Sequence, residues 1–415
     1  MKIKAKNSDV VKWLEPSLIV SVTGAQRDYP DSGNITLTVS DKGLSSSANN
    51  GNVAILTNPI DDNLLVIEKG EVTLKSEDLK SSLLSFNSEE NIFLELVKNE
   101  FSITLEKDSD EKMTLPIENR KVVVPEQANK FKKEVKMKKD IFIRLMNKVS
   151  FAMGYEDGRP EFFYWMLRLN SNKARSVCGN GKRFTVYEIE GNGLFDVSKD
   201  VNILIHKDHN NVLDKLLPLS VADNINLQEY IRADDNDPYL NQTVLNLGNF
   251  TLMLVGHTPG IKWVDENVFL NRKNSNKFIT SVNDWDGAIK SIKASNTKEV
   301  KKQNQYHWST LHFDTANSVV NVNSSVVMKA NRKVKLTDGL GDITFKCLSK
   351  YLVEAIDNAD DSTHVQFEFM DNVSPVVIKY YASTKINDGS LEKTNISSGI
   401  KETHTFFFAA FNKNN

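Results

Sequence analysis

A pattern of helices and strands recurs three times along the chain, and this repetition constrains the fold more than any single motif. The predicted helices that open the three units begin near residues 8, 138 and 281, with spacings of 130 and 143 residues. The strands that open the second half of each unit begin near 72, 201 and 343, with spacings of 129 and 142. Because two independent markers give nearly the same spacings, the chain is predicted to contain three copies of one domain-sized unit.

Within each unit the order is predicted as helix, two strands, strand, helix, two strands. In the first unit a helix is expected from Ser76 to Phe86, with Ser76 as its N-cap and Leu79 and Leu83 on its apolar face. Alternation such as Phe367 and Phe369 around Glu368 predicts strands with one buried face. The predicted fold class is therefore α+β, with two amphipathic helices packed on antiparallel sheets in each of three tandem domains.

The predicted domains span residues 1–131, 132–275 and 276–415. Polar stretches near 125–133 and 271–277 are expected to be the linkers between them. Two further polar segments, 296–306 and 384–402, are interpreted as loop insertions.

Composition narrows the class of protein. With 52 basic and 54 acidic residues, the chain lacks the strong positive charge of proteins that coat nucleic acid through bulk electrostatics. Cys178 and Cys347 are far apart and have no neighbouring Cys or His, so neither a disulfide framework nor a zinc site is expected. No apolar run approaches the roughly 20 residues of a membrane span, and the first residues do not resemble a signal peptide. A cytoplasmic protein with no membrane contact is expected.

Several motifs resemble the bacterial sliding clamp, the beta subunit of the replicative polymerase. A predicted helix that ends in Phe151 and Ala152, followed by Arg159 and Pro160, resembles the opening of the family's second domain. The segment CGNGKRFTV resembles the family's Thr-Asp-Gly-His-Arg-Leu turn. In the third unit, FKCLSKYLVEAI and DNVSPVVIKYY resemble a helix and a strand of the family. The resemblance covers nearly the whole chain.

The chain also departs from the family pattern. Tyr164 replaces a glycine, Asn180 and Lys182 replace the Asp and His of the turn, and Phe-Phe-Phe-Ala-Ala at 406–410 replaces a Met-Pro-Met ending. The resemblance is therefore to a divergent member. It implies a place in the cytoplasm of a bacterium or, for a member encoded by a phage or mobile element, of its host.

The resemblance implies a non-catalytic sliding clamp without cofactors. Such a protein forms a head-to-tail homodimeric ring, encircles double-stranded DNA without sequence preference, and serves as a processivity factor. It binds the replicative DNA polymerase and the clamp loader through their short peptide motifs.

Sliding requires long, mobile cations that contact phosphates and not bases. The resemblance implies that the helices line the hole of the ring and that a loop arginine of the first domain touches DNA. The DNA-binding candidates are Arg27 in that loop and, on the helices, Lys12, Lys80, Lys139, Arg144, Lys148, Lys207, Lys215, Lys290, Lys293 and Lys350. The alternative interpretation is that the lysines form ordinary solvated helix faces and that Arg27 pairs with Asp28 or Asp31.

Partner peptides with apolar side chains need an exposed apolar cleft with a few polar groups. The resemblance implies a partner-peptide-binding cleft between the second and third domains, formed by Phe162, Gly179, Gly181, Lys182, Arg183, Phe184, Pro259, Val264, Pro375, Phe406 and Phe408. The alternation of the last strand assigns Phe406 and Phe408 to the cleft and Phe407 to the opposite, core-packed face. The alternative interpretation is that all three rings pack in a core.

Other functions have weaker signals. His206 and His209 have a spacing that could bind metal, but no third ligand is evident and Asp208 is interpreted as a helix cap. GNGKR at 179–183 lacks the spacing of a phosphate-binding loop, and no catalytic set of nucleophile, base and acid is evident, so no enzyme activity is expected. The competing class is a β-rich phage or virion structural protein, which the threefold recurrence of helices at fixed positions disfavours.

Overall fold

The computed structural model of the protein describes most of the chain. The described residues are 1–23, 29–126, 130–154, 160–197, 201–231, 241–255, 265–295, 308–325, 330–339, 341–359, 363–372, 374–381, 386–387, 390–391, 395–397 and 400–408. Three predicted site residues, Arg27, Pro259 and Val264, and the predicted insertion at 296–306 lie outside them. No helix in these ranges is long and apolar enough to span a membrane.

The helices begin close to the predicted positions. They are α1 (Asn7–Val22), α2 (Ser76–Ser85), α3 (Lys139–Ser150), α4 (Lys207–Leu216), α5 (Asn267–Leu270), α6 (Asp286–Ser295) and α7 (Ser349–Asp357). A 3-10 turn, Val282–Trp285, precedes α6.

The strands follow the predicted repeats. The first repeat contains β1 (Lys2–Lys6), β2 (Asn34–Ser40), β3 (Gly43–Asn49), β4 (Val53–Thr57), β5 (Leu65–Glu68), β6 (Gly70–Lys75), β7 (Asn91–Val97), β8 (Glu100–Leu105) and β9 (Lys112–Leu115). The second contains β10 (Lys130–Lys138), β11 (Tyr164–Leu169), β12 (Lys173–Gly179), β13 (Arg183–Glu190), β14 (Phe195–Val197), β15 (Val201–His206), β16 (Asn224–Ile231), β17 (Asn241–Asn246) and β18 (Phe250–Val255).

The third repeat contains β19 (Asn276–Ser281), β20 (Trp308–Asp314), β21 (Val319–Ser325), β22 (Ala330–Gly339), β23 (Asp342–Leu348), β24 (His364–Phe369), β25 (Val376–Tyr381), β26 (Ile386–Asn387), β27 (Ser390–Leu391), β28 (Asn395–Ser397) and β29 (Ile400–Phe408). The stretch 384–402 is thus not only loop, because it holds β26 to β28 and the start of β29.

Each repeat contributes two antiparallel strand groups, which we call sheet A and sheet B. Sheet A has the order β1-β7-β8-β9, β10-β16-β17-β18 or β19-β24-β25-β29 in the three repeats. Sheet B has the order β4-β3-β2-β6, β13-β12-β11-β15 or β22-β21-β20-β23. The predicted α+β class, with antiparallel sheets and amphipathic helices, is confirmed.

Neighbouring repeats are joined by strand pairing. The last strand of sheet A in the second repeat, β18, pairs with β4 of the first repeat, and β29 of the third repeat pairs with β13 of the second. The same rule holds at both junctions: sheet A of one repeat extends sheet B of the repeat before it.

The chain packs into two compact units. The first comprises Met1–Ile143, Asp196–Lys199 and Ile205–Gly260, and the second comprises Arg144–Phe195, Asp200–Leu204 and Ile261–Asn415. The first unit therefore holds the whole first repeat together with sheet A, helix α4 and the start of α3 of the second repeat. The second unit holds most of sheet B of the second repeat and the whole third repeat. The division into three domains stays a prediction.

Apolar faces of the helices form the cores. In the first unit Leu14 of α1 and Leu83 of α2, each 1% exposed, pack with strand residues such as Ile35. In the second unit the core beneath α6 and α7 is rich in aromatic rings, and the centroids of Phe278 and Phe313 are 4.6 Å apart. Burial of these side chains at about 25 cal/mol per Å² stabilises the two-helix layer on each sheet.

Two predicted helix caps are wrong. Helix α2 begins at Ser76, so Lys75 occupies the cap position, and the Ser76 hydroxyl donates to the Gly33 carbonyl at 2.7 Å. At α4 the cap is His206, whose Nδ1 accepts from the Asp208 amide at 3.3 Å. Asp208 instead lies in the first turn, where its negative charge interacts favourably with the positive end of the helix dipole.

The predicted linkers are shorter than expected. Strand β10 begins at Lys130, inside the stretch 125–133, and β19 begins at Asn276, inside 271–277. Polar composition was misleading at both places because a strand with one solvated face is also rich in charged residues.

Candidate functional site

The candidate DNA-contacting cations on the helices differ in their surroundings. Lys12 and Lys80 are exposed and have no ion pair among the described residues. Lys290 pairs with Asp286 at 2.6 Å, and Lys293 pairs with Asp357 at 2.7 Å. The first two therefore remain available to bind phosphate, whereas the other two are partly neutralised by neighbouring carboxylates.

Three more of these cations make contacts within the chain. Lys139 donates to the Ser220 carbonyl at 2.8 Å, and Lys215 donates to the Thr23 hydroxyl at 3.1 Å. Lys350 lies over the ring of its neighbour Tyr351, with the ammonium 5.2 Å from the ring centre. For Lys207, which is partly buried, desolvation lowers the pKa.

Arg144 of α3 is held by a carboxylate from the last strand. Its Nη2 lies 3.1 Å from Glu402, and the Tyr187 hydroxyl donates to the same carboxylate at 2.6 Å. Lys148, one turn further along α3, is partly exposed. Because Arg144 is only about one-third exposed and is ion-paired, its charge is offset before DNA is present.

The helices carry no net charge as a set. Ten Lys and Arg residues on α1, α2, α3, α4, α6 and α7 are balanced by ten Asp and Glu residues on the same helices. Lysines recur on the helices of all three repeats, but acidic residues recur on them equally often. A duplex beside these helices would be attracted only weakly.

In the first unit, two of the candidate cations lie on one groove. A groove of about 470 Å³ between α1 and α2 is lined by Lys80 and Lys215, by Glu15 and Glu77, and by apolar side chains. Its charged groups balance, which agrees with the neutrality of the whole helix set.

The register of β13 against β29 brings together two distant parts of the predicted peptide-binding set. Arg183 is opposite Phe408, Phe184 is opposite Phe407, and Thr185 is opposite Phe406. The prediction that residues 183–184 and the final strand lie together therefore agrees with the structure. Directly opposed residues of an antiparallel pair project to the same face, so Phe184 shares its face with Phe407.

The structure buries Phe406 and Phe408, the two rings that the sequence assigned to the wall of a cleft. Phe406 is 0% exposed and Phe408 is 1% exposed, and both belong to the aromatic core beneath α6 and α7. Phe407, which was assigned to the core, belongs to a separate small cluster with Phe184. Their ring centroids are 6.2 Å apart.

We call this second group the Phe184 cluster. It consists of Val177, Phe184, Val186, Val377 and Phe407, with the partly buried Leu270 packed against it.

Arg183 is occupied by contacts within the second unit. Its side chain is 9% exposed, forms an ion pair with Glu354 and donates to the Phe151 carbonyl at 2.7 Å. The guanidinium also lies 5.3 Å from the centre of the Tyr351 ring. Arg183 thus ties β13 to α7 and to the end of α3, and its contact with a partner stays a prediction.

The turn before β13 has a conformation that explains its residues. Gly181 has φ +80°, a value that glycine adopts without strain, and the Asn180 side chain accepts from the amides of Lys182 and Arg183. A side chain at Gly179 would collide with the Phe184 ring, 2.7 Å from the position of its Cβ. The absence of a side chain at Gly179 therefore leaves room for the Phe184 ring beside β12.

The remaining members of the set are less informative. Phe162 is buried, Lys182 and Pro375 are partly exposed, and Gly181 is exposed.

A buried histidine lies beside this site. His404 of β29 is 5% exposed, stacks on Tyr380 with 4.4 Å between ring centroids, and has Nε2 3.0 Å from the Thr185 hydroxyl. Burial, with a smaller contribution from the charge of Lys148, lowers its pKa from 6.5 to about 3. The imidazole is therefore neutral in the folded protein at neutral pH.

This histidine should make stability depend on pH. The pKa of His404 is lower in the folded than in the unfolded chain. Its contribution to the free energy of unfolding is therefore complete above pH 6.5 and is lost as the pH falls toward 3. We expect His404→Gln to remove a slope of up to about 1.4 kcal/mol per pH unit in this window, measured by urea unfolding at successive pH values. The control is His364→Gln, at a less buried position. If His404→Gln kept the wild-type pH dependence of the free energy of unfolding, His404 would not be its source.

The histidine pair and the two cysteines singled out in the sequence all lie among the described residues. His206 and His209 have ring centroids 5.9 Å apart, and the described residues contain no group of three His, Cys, Asp or Glu side chains placed to hold a metal ion. Cys178 and Cys347 are both buried and free, and burial raises the pKa of each thiol.

Solved structures of bacterial sliding clamps share this fold over the entire chain. The DNA polymerase sliding clamp from Pseudomonas aeruginosa superposes with a TM-score of 0.77 at 14% sequence identity, covering 99% of this chain and 100% of that chain. The beta subunit from DNA polymerase of Streptococcus pyogenes has a TM-score of 0.77 at 13% identity, with full coverage of both chains. A Pseudomonas aeruginosa clamp bound to griselimycin has a TM-score of 0.75 at 14% identity, with 99% coverage of both chains.

No protein-family model matches the chain, and no curated protein matches it significantly. At 12–16% identity, the likeness to these structures is a likeness of fold. The chain therefore has the fold of the bacterial DNA polymerase sliding clamp over its whole length.

Proposed function

We propose that this protein is a DNA sliding clamp, a processivity factor that encircles duplex DNA and tethers a replicative polymerase. The observation that carries the proposal is the likeness to clamp structures over 99% of this chain and 100% of the matched chain, at a TM-score of 0.77. Likeness over the whole chain favours a clamp over a virion structural protein. The decisive test compares retention of the protein on circular DNA with retention on linear DNA.

Open strand edges support a head-to-tail homodimer. Among the described residues, the rule that joins the repeats leaves sheet A of the first repeat and sheet B of the third repeat unextended by another repeat. Within the described residues, the outer edge of β9 has no partner strand, and β22 from Ala330 to Lys335 pairs only with β21. Pairing β9 of one copy with β22 of another would continue the rule and cover both edges.

The charges near these two edges are complementary. Strand β22 carries exposed Arg332, Lys333 and Lys335. The turn before β9 carries exposed Asp108, Asp110 and Glu111. Opposite charges at the two edges would favour head-to-tail contact and oppose contact between two identical edges.

For partner binding we propose the face of the Phe184 cluster, because Phe184 is 9% exposed and Leu270 is only partly buried there, whereas Phe406 and Phe408 are 0% and 1% exposed. The support is the position of Phe184 and Phe407 on one side of the β13–β29 pair, with the partly buried Leu270 against them. Apolar side chains of a partner's peptide would pack on these groups, and two such contacts at about 25 cal/mol per Å² suit a weak, exchangeable complex.

Two adjacent phenylalanines allow a matched test of this face. Griselimycin, which binds a similarly folded clamp, is a suitable probe. We expect Phe407→Leu to weaken griselimycin binding about tenfold, or ~1.4 kcal/mol, measured by calorimetry. Both variants should lower the melting temperature, because both rings are buried, but Phe406→Leu should leave the affinity unchanged. If Phe406→Leu weakened binding and Phe407→Leu did not, the assigned face would be wrong.

A further inference from the structure

The sequence contains three Asn–Gly pairs, which begin at Asn50, Asn180 and Asn192. An asparagine before a glycine can lose its side-chain amide, because the glycine has no Cβ to hinder attack of its backbone nitrogen on the side-chain carbonyl carbon. Since glycine follows each asparagine, the local sequence ranks the three pairs alike. The structure places them in different surroundings.

The pair at Asn50 is buried and held by hydrogen bonds. Asn50 is 0% exposed, and its Oδ1 accepts from the amides of Asn52 and Val53 at 2.9 and 2.7 Å. The nitrogen of Gly51, which would have to attack, donates to Oδ1 of Asn49 at 2.9 Å. Both groups that would react with each other are therefore engaged by other partners.

The pair at Asn180 is protected in a similar way. Asn180 is 2% exposed, and its Oδ1 accepts from the amides of Lys182 and Arg183 at 3.1 and 3.0 Å. Its backbone amide donates to the Arg183 carbonyl at 3.0 Å. The side chain and the backbone of Asn180 are thus both fixed by the turn before β13, and a reaction there requires this turn to open.

The pair at Asn192 lies in the turn that follows β13 and lacks this protection. Asn192 and Gly193 are both exposed. Neither the Asn192 side chain nor the Gly193 amide makes a hydrogen bond with another residue in the described part of the chain. Gly193 has φ +71°, and a Cβ there would meet no heavy atom within 4 Å. The turn therefore leaves the two reacting groups accessible in the folded protein.

We propose that Asn192 is a site of spontaneous deamidation in the folded protein. The Gly193 nitrogen forms a bond to the side-chain carbonyl carbon of Asn192. The bond from that carbon to the side-chain nitrogen breaks, and this nitrogen leaves as ammonia with the proton of the Gly193 amide. Water then opens the cyclic succinimide at either carbonyl, which gives aspartate or isoaspartate. Water is the only co-reactant, and the inference is independent of the proposed clamp function.

The turn should tolerate the product. Asn192 lies outside the strands, and the neighbouring Gly191 amide donates to the Asn172 carbonyl at 2.9 Å, which anchors the turn independently of the reacting side chain. Substitutions at exposed positions of this kind usually change the free energy of unfolding little. The product should therefore accumulate as a folded form with one more negative charge.

Peptide mapping by mass spectrometry tests the proposal. The full-length protein is incubated for several days at mildly alkaline pH, which favours loss of the proton from the attacking amide. We expect Asn192 to be converted at least about tenfold faster than Asn50 and Asn180, because those two react only from locally opened states. In guanidinium chloride that unfolds the chain, all three should be converted at similar rates. Equal rates in the folded protein, or the same preference for Asn192 in the unfolded chain, would overturn the proposal.

A conservative variant identifies the source of the acidic form. In Asn192→Gln the side chain is longer by one methylene, so that attack must close a larger ring and is slower. We expect this variant to lose the acidic form that ion-exchange chromatography detects in the incubated wild-type protein. The matched control, Asn172→Gln, is at an exposed position that is not followed by glycine and should retain the acidic form. An undiminished acidic form in Asn192→Gln would refute the site.

Discussion

A variant that carries Arg332→Glu, Lys333→Glu and Lys335→Glu is expected to be monomeric at concentrations at which the wild-type chain is dimeric. All three cations are exposed on β22, so their replacement should not disturb the core. In the proposed dimer they approach Asp108, Asp110 and Glu111 of the other copy. Their reversal replaces attraction by repulsion, which should raise the dissociation constant at least about 100-fold, or ~2.7 kcal/mol. Light scattering over a range of concentrations measures the mass.

Two control variants show whether loss of charge complementarity between the two edges is what dissociates the dimer. Adding Asp108→Lys, Asp110→Lys and Glu111→Lys to the same chain should restore the dimer, because both edges then carry reversed and again complementary charges. Reversing Lys42, Lys69 and Lys273, which are exposed elsewhere, changes the net charge equally and should leave the dimer intact. A triple β22 variant that stays dimeric, or a wild-type chain that is monomeric at every concentration, would refute the proposed edge pairing.

On closed circular DNA the protein should persist at salt concentrations that remove it from linear DNA. The helices carry ten cations and ten carboxylates, so contacts with phosphate are expected to be weak. At roughly 0.5 M salt the Debye length is only a few Å, so those contacts should contribute almost nothing to retention on DNA. A closed ring would nevertheless remain on a circle, since leaving it requires the ring to open.

The experiment can use a single sample. The protein is loaded onto a nicked circular plasmid with a bacterial clamp loader, and the plasmid is then cut at one site by a restriction enzyme. We expect the half-life on DNA to fall at least about tenfold after cutting, by filter retention in high salt. Lys12→Ala with Lys80→Ala should leave the half-life on circles nearly unchanged, whereas the monomeric β22 variant should be lost from both templates. Equal loss before and after cutting, increasing with salt, would indicate phosphate binding without encirclement.

Local patterns along the chain determined the order of elements in this protein. Apolar periodicity placed the first helix near residue 8, and it begins at Asn7. Alternation placed strands near 201 and 343, where β15 and β23 begin at Val201 and Asp342. These features depend on contacts within a few residues, so each repeat could be recognised from its own segment.

The helix caps show where local patterns failed. Ser76 and Asp208 are common cap residues, yet each lies one or two positions beyond the observed cap. The Ser76 hydroxyl is engaged by the Gly33 carbonyl, which lies 43 residues earlier in the chain. The choice between two nearby helix starts was therefore made by a tertiary contact.

Only the tertiary structure decided which face of the last strand carries which aromatic ring. Alternation predicted that Phe406 and Phe408 share one face and Phe407 the other, and this is correct. Which face borders Phe184 depends on the register of β29 against β13, segments that are more than 200 residues apart. A shift of one residue exchanges the two faces, so no pattern within either strand could settle the question.

The available charge on the helices was also decided by partners distant in sequence. The lysines and arginines of the helices are visible in the sequence, but Arg144 meets Glu402 and Lys293 meets Asp357 only in the folded chain. The sequence by itself determined the repeats and the positions of the cations, because both are local. Folding decided which cations remain exposed and which strand edges stay open, since each of these properties depends on a neighbour from another part of the chain.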